Sequence, residues 1–385
     1  MTLPDRTEIA VIGAGPAGST LAAALAQRGR SVVLLERDRF PRHKVCGEFL
    51  SGESMDVVDE LGWRSAFEEF GAPTMTTARL TAPDGATLSV DLPRPARGLS
   101  RYQLDAFLFD QACRSGAHTF DGIEVQRIEA LPKRKKRLHL ATRLEQRIIH
   151  SQLDADLVVA AYGRRTSIDR RLSRPFFKTR SPWVAFKGHH QMNEPGCADD
   201  LRGVVELHAF SGGYCGASFV EGDKLNICTM FRADLLGPDG PADGGAPFDF
   251  LRRVNSPLGR RLAGLKPCFE RPLSVAQIPL TIKQPAREEI FFIGDAASMI
   301  APLAGDGQAM AMEGSLILAD LLDRHLPTVP LEQWNRIWRR RYAMRIQLGR
   351  LFNAALTRPK LSAPALRLLN RLPGAAHQLV TLTRG

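Results

Sequence analysis

Three glycines and one acid near the N-terminus have the spacing of a phosphate-binding turn. They are Gly13, Gly15 and Gly18 of Gly13-Ala14-Gly15-Pro16-Ala17-Gly18, and Glu36. The first glycine permits a tight turn, the second lets a pyrophosphate approach the backbone, and the third lets a helix pack close to a sheet. Pro16 and Ala17 lie in the turn just before that helix, whose open N–H groups offer a partial positive charge to phosphate oxygens. Glu36 lies 23 positions after Gly13, near the ~20 expected of an acid that accepts from ribose hydroxyls. The elements that must hold these residues are readable around them. Ile9 to Ile12 is a short buried strand, Ser19 to Gln27 a helix ended by Gly29, and Val32 to Leu35 a second strand. Strand, turn, helix, strand and acid together make the dinucleotide fingerprint in its full context.

That motif does not separate FAD from NAD; a second one does. Ile290 to Ile293 is another apolar strand, ending in Gly294-Asp295-Ala296-Ala297. Pro302 and Gly305-Asp306-Gly307 follow, then a helix from about Gln308 to Leu322. An Asp at a strand end can accept from a polyol, and glycines let backbone approach a flat ring. A helix starting at that ring would stabilise the anion of a reduced flavin. The segment resembles the second FAD fingerprint of the flavoprotein hydroxylase and geranylgeranyl reductase superfamily. The resemblance implies that Asp295 binds the ribityl chain and that Gly294, Pro302, Gly305 and Gly307 lie near the isoalloxazine. Arg101 opens a helix in Arg101-Tyr102-Gln103-Leu104-Asp105. The resemblance puts it near the FAD phosphates; a surface charge at a helix start is the plainer reading. Leu157-Val158-Val159-Ala160-Ala161-Tyr162-Gly163-Arg164 is read as a buried strand returning to the cofactor. Hydroxylases usually carry Asp before that glycine, so Tyr162 weakens an assignment to the NADPH-using aromatic hydroxylases.

Pro41-Arg42-His43-Lys44-Val45-Cys46-Gly47 resembles the P-x-x-K-x-C-G signature of geranylgeranyl reductases. The resemblance runs this loop beside the flavin, with Cys46 lining the active site. Arg37, Lys44, Cys46 and Gly47 are therefore counted with the cofactor-binding residues, and Cys46 is the candidate catalytic group. Arg42, His43 and Lys44 would favour a thiolate there and lower its pKa. Cys46 could donate a proton, contact the ring or merely fill space. His43 and Lys44 are also candidates for the FAD phosphates or for a surface role.

Between the FAD motifs the chain reads as strands. Arg79 to Val90 is a hairpin turning at Pro83-Asp84-Gly85-Ala86. Val184 to Gln191, Gly203 to Phe210, Gly216 to Val220 and Leu225 to Met230 are further strands, the last two joined by Glu221-Gly222-Asp223. In the superfamily a sheet over the flavin builds the substrate pocket. Gly213 to Phe219 falls where related reductases resemble G-Y-x-W-x-F-P. Tyr214 matches, while Gly216, Ser218 and Phe219 stand at the Trp, Phe and Pro positions. Tyr214, Gly216 and Phe219 are the candidate substrate-binding residues. The missing indole widens or shifts the pocket unless Phe219 fills the gap. The W-x-W-x-I-P segment of flavin halogenases is absent, which disfavours halogenation. His189 and His190 are adjacent on a strand and face opposite ways; both are read as surface or satisfied histidines.

The fold class expected is α/β: a Rossmann-like FAD-binding domain with an inserted, mostly antiparallel β-sheet substrate domain and a helical C-terminus. Residues 1–75, 100–178 and 285–327 form the first domain, 76–99 and 179–284 the second, and 328–385 the basic helical region. Hydrophobic content of 44% supports a large core, and 24% charged residues argue against disorder. The net charge of +11 suits anionic cofactors or membrane surfaces as well as nucleic acid, and no nucleic-acid motif accompanies it. Lys133 to Arg137 is read as a solvated hairpin turn. Cys46, Cys113, Cys197, Cys215, Cys228 and Cys268 form no CxxC pair, so no metal site is expected, and reduced thiols in the cytoplasm are. No apolar run nears the ~20 residues of a membrane span. The helix after Pro330 carries Trp334, Ile337, Trp338 and Tyr342 with a basic face of arginines. Packing on the FAD domain is the preferred reading; peripheral membrane contact, with the Leu361 to Leu382 tail, is the other. The resemblance implies an FAD-dependent oxidoreductase acting on a bulky apolar substrate, isoprenoid or polyketide-derived, with NAD(P)H or another external donor. Reduction of a C=C bond is the leading reading. Monooxygenation is the alternative, and a non-catalytic flavin-binding protein comes third.

Overall fold

The computed structural model describes residues 2–144, 147–193, 198–236, 246–326 and 330–384; Cys197 lies outside them. Among these residues the strands form one sheet of eight and one of nine.

The first sheet holds the cofactor motifs. Ile290–Phe292, Arg147–Ala160, Arg6–Ile12, Val32–Leu35 and His118–Phe120 lie in that order, all parallel. Their apolar runs are continuous because helices cover both faces of a parallel sheet. Ile9, Ala10, Val11 and Val32 to Leu34 are fully buried. From the central strand Arg6–Ile12 the chain first builds to one side, then returns on the other, which leaves a crevice at the strands' carboxyl ends. The helix Pro16–Gln27 starts there. Gly13 has φ +99°, and a Cβ on it would lie 2.6 Å from the Ala161 carbonyl oxygen. A Cβ on Gly18 would lie 1.8 Å from the Gly13 carbonyl oxygen, so helix and turn pack more closely than any side chain allows. Ile123–Ala130 and Lys136–Leu144 add an antiparallel ribbon beside Arg147–Ala160. The basic run turns between these two strands, with Lys133 and Arg134 exposed. Lys136 departs from the solvated reading: it is buried, its Nζ 3.5 Å from Glu289.

The second sheet is antiparallel throughout except where Val204–Phe210 pairs with Thr74–Thr81. Trp183–Met192, Lys224–Arg232 and Gly213–Val220 form its middle, and Thr87–Gly98 follows Thr74–Thr81. Phe49–Leu50 pairs with the end of Thr87–Gly98, so the 1–75 segment lends a strand to the second sheet just after the Cys46 loop. One sheet face carries Leu80, Ala185, Tyr214 and Met230 toward the interior of the molecule. The other carries Phe219, Leu225, Ile227 and Phe231, covered by Leu251, Leu258 and Leu262.

The helix Leu331–Leu356 packs its aromatic face on the first domain. Trp334, Trp338 and Tyr342 are at most 1% exposed. Their polar tips are satisfied, as buried Trp and Tyr require. Trp334 donates to the Phe292 carbonyl (3.1 Å), Trp338 to Ser298 Oγ (3.0 Å) and Tyr342 to Glu313 (3.0 Å). A Cβ on Gly314 would lie 2.7 Å from the Trp338 ring. The helices Pro359–Arg371 and Pro373–Arg384 then cross back over the second sheet.

Candidate active site

A cavity runs between the two sheets, and its two ends differ in chemistry. At one end the wall is Gly15, Pro16, Ala17, Arg101, Asp295 and Gly307. Two helices begin there. The first intrahelical bonds are Ser19 N–H to Gly15 and Met310 N–H to Asp306, so the preceding N–H groups have no acceptor within their own helix. Gly305 takes φ +70° just before the second helix. Gln308 Oε1 is a buried acceptor without a partner among the described residues. Two open helix ends, a partly buried arginine, a strand-end Asp and an unfilled acceptor along one wall fit a dinucleotide with a polar ring at its far end.

Side chains missed from the sequence stiffen this end. Glu36 accepts from Ala14 N–H (2.9 Å) and Arg42 (3.3 Å). Arg42 also donates to Asp105 (2.5 Å), and Asp105 accepts two bonds from Arg101 (2.6 and 2.7 Å). A fully buried Asp105 therefore aims both arginines. Its signal was the four-residue spacing from Arg101, the separation of helix neighbours. Arg101 Nη2 lies 3.5 Å from where a Gly15 Cβ would stand, which places it at the phosphate turn. Lys283 donates to the carbonyls of Arg164 and Asp295 (2.5 Å each). Burial pulls its pKa down to about 7, against the pull of Asp295. Tyr162 turns away from the cavity and donates to Asp169 (2.8 Å). Asp169 also accepts from the buried Arg174 (2.9 Å), which caps the Ala296 carbonyl (2.9 Å). At the position where hydroxylases carry Asp, Tyr162 thus supports the Asp295 loop from behind.

Cys46 stands where the ends meet. Gln308 Nε2 from the second helix lies 3.6 Å from its Sγ, and Asn226 from the second sheet donates to its carbonyl (3.2 Å). The expected thiolate is corrected by the structure: burial pushes the thiol pKa up, against the nearby Arg101. Its sequence neighbours spend their charge elsewhere. Lys44 binds Asp38 (2.6 Å) and Arg42 binds Asp105. His43 is pulled down to about 4, by burial first and by the Lys187 charge second. Lys44 and His43 do not line the cavity, and Arg37 is exposed beside Asp38.

Beside Cys46 lies a buried ion cluster that sequence reasoning missed. Glu48, fully buried and on the cavity wall, accepts from Lys187 Nζ, His189 Nε2 (2.6 Å) and Arg101 N–H (2.6 Å). Burial alone would raise its pKa, but His189 and Lys187 together hold it below the usual value. Its backbone is left-handed, φ +55°, a conformation non-glycine residues seldom adopt. His189 and His190 do face opposite ways. His189 meets Glu48, and His190 packs on Phe248; both are buried, so neither is a surface histidine.

The far end is apolar, with Leu80, Val90, Leu207 and Met230 from the sheet and Phe352 and Leu366 from the C-terminal helices. Tyr214 and Gly216 line it. Phe219 does not: it packs in the core on the opposite sheet face, since strand residues of opposite parity face opposite ways. The expected substrate contact at Phe219 is therefore corrected, and Phe219 leaves open the space at Gly216.

Residues 6–203 match a family described as an FAD binding domain. The match spans more than half of the chain, and the chain belongs to that family. It is 26% identical to a menaquinone reductase of Mycolicibacterium smegmatis, over 92% of this chain and 86% of the relative. It is 35% identical to a flavin-dependent halogenase of Metacordyceps chlamydosporia, over 83% of this chain and 65% of the relative. Its fold matches a geranylgeranyl bacteriochlorophyll reductase-like protein from Thermoplasma acidophilum with a TM-score of 0.78 at 15% identity, covering 98% of this chain and 96% of the other. The expected superfamily and the mixed α/β fold are thereby borne out, and the chain is a flavoprotein of the FAD-dependent oxidoreductase and monooxygenase type.

Proposed function

We propose that this protein reduces a carbon–carbon double bond in a bulky apolar substrate, isoprenoid or polyketide-derived. One observation carries the reading: the cofactor end of the cavity opens directly into an apolar chamber, with the Cys46 thiol at the junction. FAD, when bound, supplies and accepts hydride. Gly15, Ala17, Arg101 and Glu36 would hold its adenosine and phosphates; Asp295, Gly305 and Gly307 would hold the ribityl chain and ring. The sheet residues and the C-terminal helices exclude water and hold the apolar substrate. Cys46, kept neutral by burial, holds a proton for the carbon that does not receive hydride. Glu48, Lys187 and His189 would replace that proton. A net two-electron reduction requires an external donor, for which NAD(P)H is the proposed class. Relatedness to a menaquinone reductase supports this reading.

Relatedness to a halogenase supports a second reading, monooxygenation of a similar substrate. The absent W-x-W-x-I-P segment still speaks against halogenation itself. The test is product analysis by mass spectrometry after turnover under argon with polyprenyl quinones and polyenes. A product that keeps two added hydrogens after any quinol ring has been reoxidised to the quinone supports reduction of a C=C bond. A product that forms only in air and carries an added oxygen establishes the second reading instead.

A further inference from the structure

We propose that the helix Pro359–Arg371 docks on the surface of an anionic lipid bilayer and sets the apolar end of the cavity against it. Delivery of substrate from the bilayer rests on the apolar-substrate reading above; docking itself does not. Residues 331–385 hold eleven lysines and arginines against one acid, Glu332, while the whole chain has a net charge of +11. Some of this charge is neutralised: Arg341 by Glu313, Arg345 by Asp306 and Arg367 by Asp84. Arg350, Lys360 and Arg371 have no acidic partner among the described residues.

The helix is amphipathic in both directions. Leu361 and Leu368, with Leu372 just past its end, are 49%, 58% and 50% exposed, and Ala365 fills the stripe between them. On the inner face Leu366 and Leu369 line the cavity. One helix diameter thus separates an outer leucine stripe from the apolar chamber. Leucines flanked by cations are the composition of a helix that lies in a membrane interface. Nucleic acid would engage the cations and leave the leucines unused. A second copy of this chain would bring like charges face to face. The aromatic face of Leu331–Leu356 takes no part, because the first domain covers it.

The experiment is co-sedimentation of the FAD-loaded protein with phosphatidylcholine vesicles, with and without about a third phosphatidylglycerol. Binding is expected to the anionic vesicles only, and to weaken in high salt. Arg350→Gln, Lys360→Gln and Arg371→Gln combined should weaken it on the order of 100-fold. Leu361→Asp, Leu368→Asp and Leu372→Asp combined should weaken it at least about tenfold, with flavin content and circular dichroism unchanged. Wild-type protein that stays in the supernatant with anionic vesicles overturns the proposal. So does leucine-variant binding equal to wild type, or a salt-sensitive complex with duplex DNA that blocks vesicle binding. The glutamine variant touches no core residue, so its result stands even if the aspartates unfold the helix. Vesicle binding without turnover of any apolar substrate would remove the proposed reaction and leave the docking intact.

Discussion

Cys46 and Glu48 lie two residues apart, and each has the ionisation state that burial and its spatial neighbours impose. For Cys46 burial wins, so its alkylation by iodoacetamide should rise only above pH 9.0, the ordinary thiol value. Rapid labelling of Cys46 at neutral pH would contradict this. For Glu48 the His189 hydrogen bond and the Lys187 charge win. Its depressed pKa contributes stability above 4.5, its ordinary value, and that contribution is lost as pH falls through the lower folded value. Glu48→Gln leaves Lys187 buried without its counter-charge and should cost about 3 kcal/mol near neutral pH. Denaturant unfolding should show that deficit shrinking as pH falls below 4.5, and partly recovered in the double variant with Lys187→Met. An equal deficit at all pH values would mean that the carboxylate is not ionised in the fold. The cluster was illegible in the sequence because Lys187 and His189 lie 139 and 141 positions from Glu48. The thiol's sign was misread for a related reason: Arg42, His43 and Lys44 are close in sequence, but their charges are directed elsewhere.

At the scale of elements, what backbone geometry demands was readable. Only glycine tolerates the approach of Pro16–Gln27 to the turn at Gly13 and Gly18, so these two residues announced both an element and its ligand. Gly18→Ala should therefore give protein that purifies without flavin and takes up added FAD at least about tenfold more weakly. Normal flavin content would show that the turn can relax. The strands of the second sheet were also readable from their alternation, and so was the opposition of His189 and His190. The side of the sheet that faces the cavity was not, because a period of two fixes opposition but not direction. Phe219 was placed by its position in the family motif, although its odd offset from Tyr214 and Gly216 on one strand puts it on the opposite face. The aromatic face of Leu331–Leu356 resolves the same kind of ambiguity. Its spacing suits a protein core or a membrane, and only the contacts with Phe292, Ser298 and Glu313 decide for the core.

Across the whole molecule, the two sheets divide the work. The parallel sheet presents two helix ends and Asp295 to the cofactor, and the antiparallel sheet and C-terminal helices enclose an apolar chamber. The Cys46 loop joins them, which places the Cys46 thiol and the Glu48 cluster where cofactor and substrate would meet. Among the described residues no helix is long and apolar enough to cross a membrane. The central claim is that electrons pass from the bound cofactor to substrate carbon without oxygen. The most direct measurement is rapid mixing of the chemically reduced, FAD-loaded protein under argon with an isoprenoid polyene that has no quinone ring, following the visible absorbance of oxidised flavin. The account predicts that the absorbance returns with saturable dependence on substrate, in step with a hydrogenated product. A flavin that stays reduced with every such substrate, and reoxidises only when oxygen is admitted, would contradict it.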